Sequence, residues 1–207
     1  KWVADTLVEE AGITPMLRRL FAAPIMDGDT IKGVIVESKA GREAILAKRI
    51  VDATGDADVA HRAGAVTIKH AKEDMIGASV MFSMSGVNKS RFIEHVKADP
   101  QTYRDWAYGQ WTVETTGKED EMFSPFLRKP FEKAREAGLI PEHLDTISGT
   151  WGALYDAGDP TYLNLVHLLG YDGTDPNDLT RGEIEGRKQA MMAIEALKRY
   201  TPGCEGA

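Results

Sequence analysis

The stretch KRIVDATGDADVAHRAGA, residues Lys48–Ala65, joins two kinds of local sequence. Its apolar start, Ile50–Ala53, is typical of a short buried strand, and the small residues of Asp58–Ala63 favour a helix. Between them lies the corner Thr54-Gly55-Asp56. A strand that ends at such a corner and continues as a helix indicates that something is held there.

The residues of this corner suit an anionic or ribose-bearing ligand. Gly55 permits backbone angles that other residues avoid, and small side chains let a ligand approach the main chain. The start of the following helix is expected to offer free N–H groups to an anion. The alternative is that Gly55 and Ala57 only allow the helix to pack closely on a sheet, and the spacing alone leaves both readings open.

The segments before the corner predict a helix and an antiparallel meander. Residues Trp2–Glu10 have helical apolar spacing, and Gly12 follows as a C-terminal cap. The Asp-Gly pair at Asp27 and Gly28 is typical of a hairpin turn. The predicted strands are Ile13–Ile25, Ile31–Ser38, Glu43–Lys48 and, as a fourth, Ile50–Ala53.

The residues after the corner predict a mixed α and β segment. A capping box formed by Thr180 and Glu183 predicts a helix that runs to about Tyr200, before Pro202. A polar stretch, Thr112–Glu121, is expected to be a loop. The other predicted elements are strands at Ser79–Met84, Thr150–Tyr155 and Thr161–Leu169 and helices at Ser90–Lys97, Gln101–Trp106 and Ser124–Ala137.

Composition excludes several classes of protein. The 207 residues carry 25 basic and 32 acidic side chains, for a net charge of -7, so nucleic acid is not an expected partner. No apolar run approaches the roughly 20 residues of a membrane span, and a soluble, cytoplasmic protein is expected. The single cysteine, Cys204, excludes an internal disulfide and a zinc site built from several cysteines.

Two long runs resemble the FAD-dependent oxidoreductase family, in the group of fumarate reductase and hydroxylase type flavoproteins. They are Lys1–Ala65, which ends in IVDATGDADVAHRAGA, and Asn164–Gly203, which contains the Gly-Thr-Asp-Pro loop. The resemblance implies an α+β or α/β fold with a three-stranded meander and part of a Rossmann-like FAD domain. It places the partial FAD domain at residues 1–65, a substrate-side domain at 66–169, and a loop and helix that return to the FAD domain at 170–207.

The resemblance also implies a site and a reaction. Ala53, Thr54, Gly55 and Asp56 would lie close to the FAD diphosphate, and Phe21 would offer its backbone groups to the adenine. The family more often has valine at the position of Phe21. A hydride would pass between an unidentified small organic substrate and flavin N5.

The sequence has no G-x-G-x-x-G motif, which in this family precedes the meander. We therefore expect an internal fragment, with that motif upstream and another flavin-contacting segment downstream. We expect the isolated chain to bind FAD weakly or not at all. The alternative is a stand-alone α+β module that binds a ligand or a protein partner without flavin.

Other candidate residues are less specific. His167, among apolar neighbours on a predicted strand, is either an acid or base beside a flavin or a partly buried histidine satisfied by a backbone carbonyl. Asp172, Asp175 and Asp178 suggest a calcium site, but the same residues are typical of turns and helix starts, and no metal is expected.

His61 and Arg62 are expected to face solvent. The aromatic residues form either a substrate wall or core packing: Trp2, Tyr103, Trp106, Tyr108, Trp111 and Trp151.

Overall fold

A computed structural model describes residues 1–98, 127–155 and 157–207. They form two compact units, residues 1–69 and 70–207. The boundary between the units lies four residues after the first predicted one, and the predicted division into 1–65, 66–169 and 170–207 stays a prediction. The predicted helix Gln101–Trp106 and the predicted loop Thr112–Glu121 lie outside the described residues.

The first unit begins with the predicted helix and meander. Helix α1 spans Trp2–Glu10, and Gly12, with φ +66°, follows its cap. Strands β1 (Leu20–Asp27), β2 (Thr30–Ser38) and β3 (Gly41–Leu46) form an antiparallel sheet in the order β1-β2-β3. The three-stranded meander is therefore confirmed, and its sheet fits part of an FAD-binding domain.

Strand β1 lies at one edge of this sheet and begins later than predicted. It starts at Leu20, not at Ile13, and Pro24 lies opposite Val34. An edge strand tolerates proline, because one of its sides needs no ladder hydrogen bond. The register shifts between Phe21 and Ala23, so Ala22 is a bulged residue.

The predicted fourth strand is wrong. Residues 50–53 have no strand pairing in the described structure, and Val51 is 88% exposed. The carboxylate of Asp52 hydrogen-bonds to Thr54 and Ala60, so this segment bends into a turn instead of running along a neighbour. Helix α2 follows at Asp58–Arg62, close to the predicted range.

The second unit has short strands and longer helices. Strand β4 (Ala78–Ser79) pairs with β7 (His167–Leu168), and β5 (Ala153–Leu154) pairs with β6 (Pro160–Thr161), both antiparallel. The predicted strands in these regions are therefore too long. The helices are a 3₁₀ turn at Lys72–Asp74, α3 (Lys89–Ala98), α4 (Lys129–Glu136) and α5 (Pro176–Tyr200).

Helix α5 organises the core of the second unit. It packs against α4 and β7, and its small residue Gly186 lies so close to Val80 that an added Cβ would stand 2.2 Å from the Val80 side chain. Phe92 and Trp151 pack against each other in the core, with ring centres 5.1 Å apart and ring planes tilted by 60°. The fully buried side chains around them include Phe131, Ile140, Ile147, Leu163, Leu165 and Leu197.

The predicted start of α5 is wrong by one helical turn. The helix begins at Pro176, and the side chain of Asp175 accepts a hydrogen bond from the Asn177 N–H at 2.8 Å. Thr180 lies inside the helix and donates to the Pro176 carbonyl. An Asp cap followed by Pro at the first helical position is the better start signal, because Pro needs no partner for an N–H there.

The last residues pack on the beginning of α3. The Asn88 N–H donates to the Gly203 carbonyl at 2.7 Å, and the Arg91 guanidinium reaches both carboxylate oxygens of Glu205. Cys204 between them is buried. Residues 201–207 are therefore part of the folded second unit.

Candidate functional site

The carboxylate of Asp52 holds the corner in shape. Its Oδ1 accepts hydrogen bonds from the Thr54 N–H at 3.1 Å and from the Thr54 hydroxyl at 2.7 Å. Its Oδ2 accepts from the Ala60 N–H at 2.9 Å. This is an Asx turn that continues into a helix cap. The Ala60 N–H, followed by the Thr54 hydroxyl and N–H, holds the pKa of Asp52 below its usual 3.8.

The start of α2 does not offer free donors as predicted. The Asp58 N–H donates to the Thr54 hydroxyl at 2.9 Å, and Asp52 takes the Ala60 N–H. The protein's own side chains thus satisfy these donors. An anion at this corner would have to use the backbone before the helix.

That backbone is open. Ala53, Thr54, Gly55 and Asp56 are all exposed, and Gly55 has φ +97°. A Cβ built on Gly55 would meet no atom within 4 Å, so this glycine is not required by close packing of the helix on the sheet. The positive φ explains the glycine, and the open space leaves the main chain accessible to a ligand.

Phe21 lies on β1, which is tied to the helix after the corner. The Arg62 guanidinium stands 5.7 Å from the centre of the Phe21 ring, and its Nη1 donates to the Ala22 carbonyl at 2.6 Å. The bulge at Ala22 thus presents its carbonyl to Arg62. His61 and Arg62 are both exposed, as expected, and Arg62 in addition contacts β1. The His61 ring lies 2.8 Å from the Thr67 hydroxyl.

His167 lies in the second unit, on β7, and is half-buried. Its Nε2 is 3.1 Å from the Ser148 carbonyl oxygen, and its Nδ1 is 3.3 Å from the Ser79 hydroxyl. The carbonyl contact is the one expected for a partly buried histidine. The predicted role of His167 as an acid or base beside a flavin stays a prediction.

The three aspartates of the loop before α5 have separate structural roles. Asp172 accepts from the N–H and the hydroxyl of Thr174, and Asp175 caps the helix. Asp178 is 2% exposed and forms ion pairs with Lys72 and Arg181. Asp172 and Asp175 therefore have the turn and cap roles of the alternative, whereas Asp178 is a buried partner in two ion pairs. Within residues 1–98, 127–155 and 157–207, no group of three or more His, Cys, Asp or Glu side chains is arranged to hold a metal ion.

Two of the candidate aromatic residues lie in the described part of the chain, and their surroundings differ. Trp151 is buried in the core, and Trp2 is 79% exposed on α1. Tyr103, Trp106, Tyr108 and Trp111 lie outside the described residues. In the part of the chain that the structure describes, no helix has the length and apolarity needed to cross a membrane.

The sequence analysis did not predict the contacts made by three residues near the candidate sites. They are Asp52, Arg62 and Ser79. The Asp-x-Thr spacing of Asp52 and Thr54 is a local signal for an Asx turn and was available in the sequence. The contacts of Arg62 with β1 and of Ser79 with His167 join residues distant in the chain, and no local pattern indicates them.

Comparison with known proteins gives one match. A family model described as FAD dependent oxidoreductase matches residues 1–207. No curated protein matches the chain, and no solved structure matches it.

Proposed function

Because the chain belongs to the FAD-dependent oxidoreductase family, we propose that its first unit forms one wall of an FAD site. The Rossmann-like arrangement and the kinship with fumarate reductase and hydroxylase type flavoproteins are parts of this proposal. The observation that carries it is the open main chain at Gly55, held in shape by Asp52 and Thr54. When bound, the flavin would exchange a hydride with a small organic substrate.

The charges at the corner favour a particular part of the cofactor. Asp52, Asp56 and Asp58 lie within seven residues and would repel a diphosphate near their carboxylates. The exposed carboxylate of Asp56 is instead a good acceptor for sugar or ribityl hydroxyls. A phosphate oxygen would fit only at the backbone N–H groups around Gly55. We therefore propose hydroxyl recognition by Asp56 and backbone contact at Gly55.

Exposed apolar side chains support a larger flavin domain around the first unit. Trp2, Leu20, Leu46 and Val51 are each more than 70% exposed. Covering these side chains with further protein would remove apolar surface from water, which is favourable. Their exposure is consistent with weak FAD binding by this chain alone.

The proposal is tested by titrating the isotope-labelled chain with FAD and following backbone amide shifts by NMR. We expect weak, saturable shifts at residues 53–56, with the shift at Asp56 lost in Asp56→Asn. Gly55→Val should abolish the response, because a side chain would occupy the open space. Gly28→Val is the matched control, since Gly28 also has positive φ and nothing within 4 Å.

Three outcomes would count against parts of the proposal. No shift at residues 53–56 in millimolar FAD would overturn the flavin site and favour a module that binds without flavin. Equal loss of response in Gly28→Val would indicate a general folding effect instead of a local contact. Tight, yellow FAD that copurifies with the intact chain would refute the expectation of weak binding.

A further inference from the structure

Ser79 and His167 face each other across two paired strands of the second unit. The register of β4 and β7 places them directly opposite, and the Ser79 hydroxyl lies 3.3 Å from His167 Nδ1. Residues directly opposite in an antiparallel pair have neighbouring side chains on one face. The contact is therefore built into the sheet and does not depend on a loop.

The Ser148 carbonyl selects the tautomer of the neutral His167 imidazole. It lies 3.1 Å from His167 Nε2, and a carbonyl oxygen only accepts, so Nε2 carries the proton. In the neutral ring, Nδ1 then has a free lone pair for the Ser79 hydroxyl. The Thr146 hydroxyl also donates to the His167 carbonyl at 2.9 Å and holds this strand in place. A hydroxyl, a base and a group that orients the base are the parts of an activated nucleophile.

The pair lies on the face of the strands that turns away from α5. Val80 and Leu168, the chain neighbours of the pair, pack toward Gly186 of α5. Alternation along a strand sends Ser79 and His167 to the other face, where Ser79 is exposed. Leu169, which is 62% exposed, leans over Gly77 on the same side. An accessible hydroxyl beside an exposed apolar side chain suits a short acyl group.

We propose that Ser79 and His167 form a nucleophile and base pair that accepts an acyl group from a small activated carboxylic ester. The Ser79 oxygen forms a bond to the ester carbonyl carbon while its proton passes to His167 Nδ1. The bond to the leaving alcohol breaks, and the alcohol takes the proton. Water then attacks the acyl-serine with the same base and releases the carboxylic acid, so the net reaction is ester hydrolysis. It needs no oxidant and does not depend on the flavin proposal.

The first test treats the chain with p-nitrophenyl acetate and locates acetyl groups by peptide mass spectrometry. We expect one acetyl group on Ser79 and none there in Ser79→Ala. In His167→Gln, which keeps a donor for the Ser148 carbonyl, acetylation of Ser79 should slow by about a hundredfold through loss of the base. Ser83→Ala, which changes another exposed serine four residues later, should label Ser79 at the original rate.

A second measurement avoids reliance on the His167 variant's folding. In Ser79→Cys, the new thiol should react with iodoacetamide about tenfold faster than the thiol of Ser83→Cys, because an adjacent imidazole promotes thiolate formation. The background is low, since burial, with a smaller contribution from Glu205, raises the pKa of the native Cys204 to about 12. Equal rates for the two thiols, or no acetyl group on Ser79, would overturn the proposal. Neither result would bear on FAD binding at residues 53–56.

Discussion

The Thr54 hydroxyl donates to the Asp52 carboxylate and accepts from the Asp58 N–H, so one side chain links the turn at Asp52 to the first turn of α2. The two contacts are 2.7 and 2.9 Å long. The corner therefore keeps its shape through side chains that a ligand need not touch. Its rigidity and its ligand contacts can be tested separately.

Thr54→Val should loosen the corner without changing its size. The variant loses both hydrogen bonds of the hydroxyl, and loss of a helix-capping side chain costs about 1 kcal/mol. Amide hydrogen exchange at Asp58 should quicken by roughly fivefold for that energy. Thr54→Ser keeps the hydroxyl and is the matched control. Unchanged exchange in Thr54→Val would contradict the linking role.

The Asp52 carboxylate should make the corner sensitive to acid. Its pKa is lowered in the folded chain, so its stabilising contribution is complete above the unfolded value of 3.8 and is lost as pH falls through the lower, folded value. The amide shift of Ala60 should follow this titration, with a midpoint below 3.8. Asp52→Asn should abolish it, and Asp56→Asn should leave it in place. A midpoint at or above 3.8 would contradict the hydrogen-bond pattern.

Arg62→Ala should detach α2 from the bulge of β1. The variant loses the hydrogen bond to the Ala22 carbonyl and the contact with the Phe21 ring, which we expect to cost about 1 kcal/mol together at this exposed site. Urea denaturation followed by the amide signals of residues 58–62 measures this. Arg49→Ala is the control, because Arg49 bonds only to the preceding residue's carbonyl in the described structure. Equal effects of the two substitutions would argue against the α2–β1 link.

Gly149→Ala should destabilise the second unit strongly. Gly149 has φ +152°, and an added Cβ would lie 1.9 Å from the Asn164 carbonyl oxygen, a backbone atom that cannot move aside cheaply. Overpacking of this kind costs about 3 kcal/mol. Gly138→Ala, with positive φ but open space, should cost about 1 kcal/mol. Thermal unfolding of both variants separates the steric contribution from the backbone strain. Similar losses of stability in the two variants would show that the backbone at Asn164 moves away from the added Cβ.

Local patterns in the sequence were enough to predict the first helix, the hairpins and α2. Gly12 follows the end of α1 and Gly28 turns the chain between β1 and β2, because both glycines adopt positive φ. The strand predicted at Ile50–Ala53 failed because a strand needs a neighbouring edge, which composition does not reveal. The start of α5 differs from the prediction because Asp175 and Pro176 form the cap, whereas the Thr180 hydroxyl bonds to the Pro176 carbonyl inside the helix.

The candidate sites show the same division between local and distant contacts. Ala53–Asp56 can be proposed from the sequence because the corner is contiguous in the chain, and its role in binding a ligand stays a prediction. The Ser79 contact with His167 spans 88 residues and was not predicted. The sequence shows that the neighbours of His167 along the chain are apolar, but it does not show which residue lies opposite His167 on the paired strand.

The ion pair between Arg91 and Glu205 joins residues 114 positions apart. With the Asn88–Gly203 hydrogen bond, it closes the second unit by uniting its early and late segments. The meander of the first unit, by contrast, pairs only consecutive strands. During synthesis on the ribosome, the meander can therefore form as soon as it emerges, whereas the contacts of Asn88, Arg91 and Phe92 with residues 203–205 form only after that later segment has been made. Until then the apolar side chains around Phe92 lack part of their packing, and apolar surface exposed in this way favours aggregation.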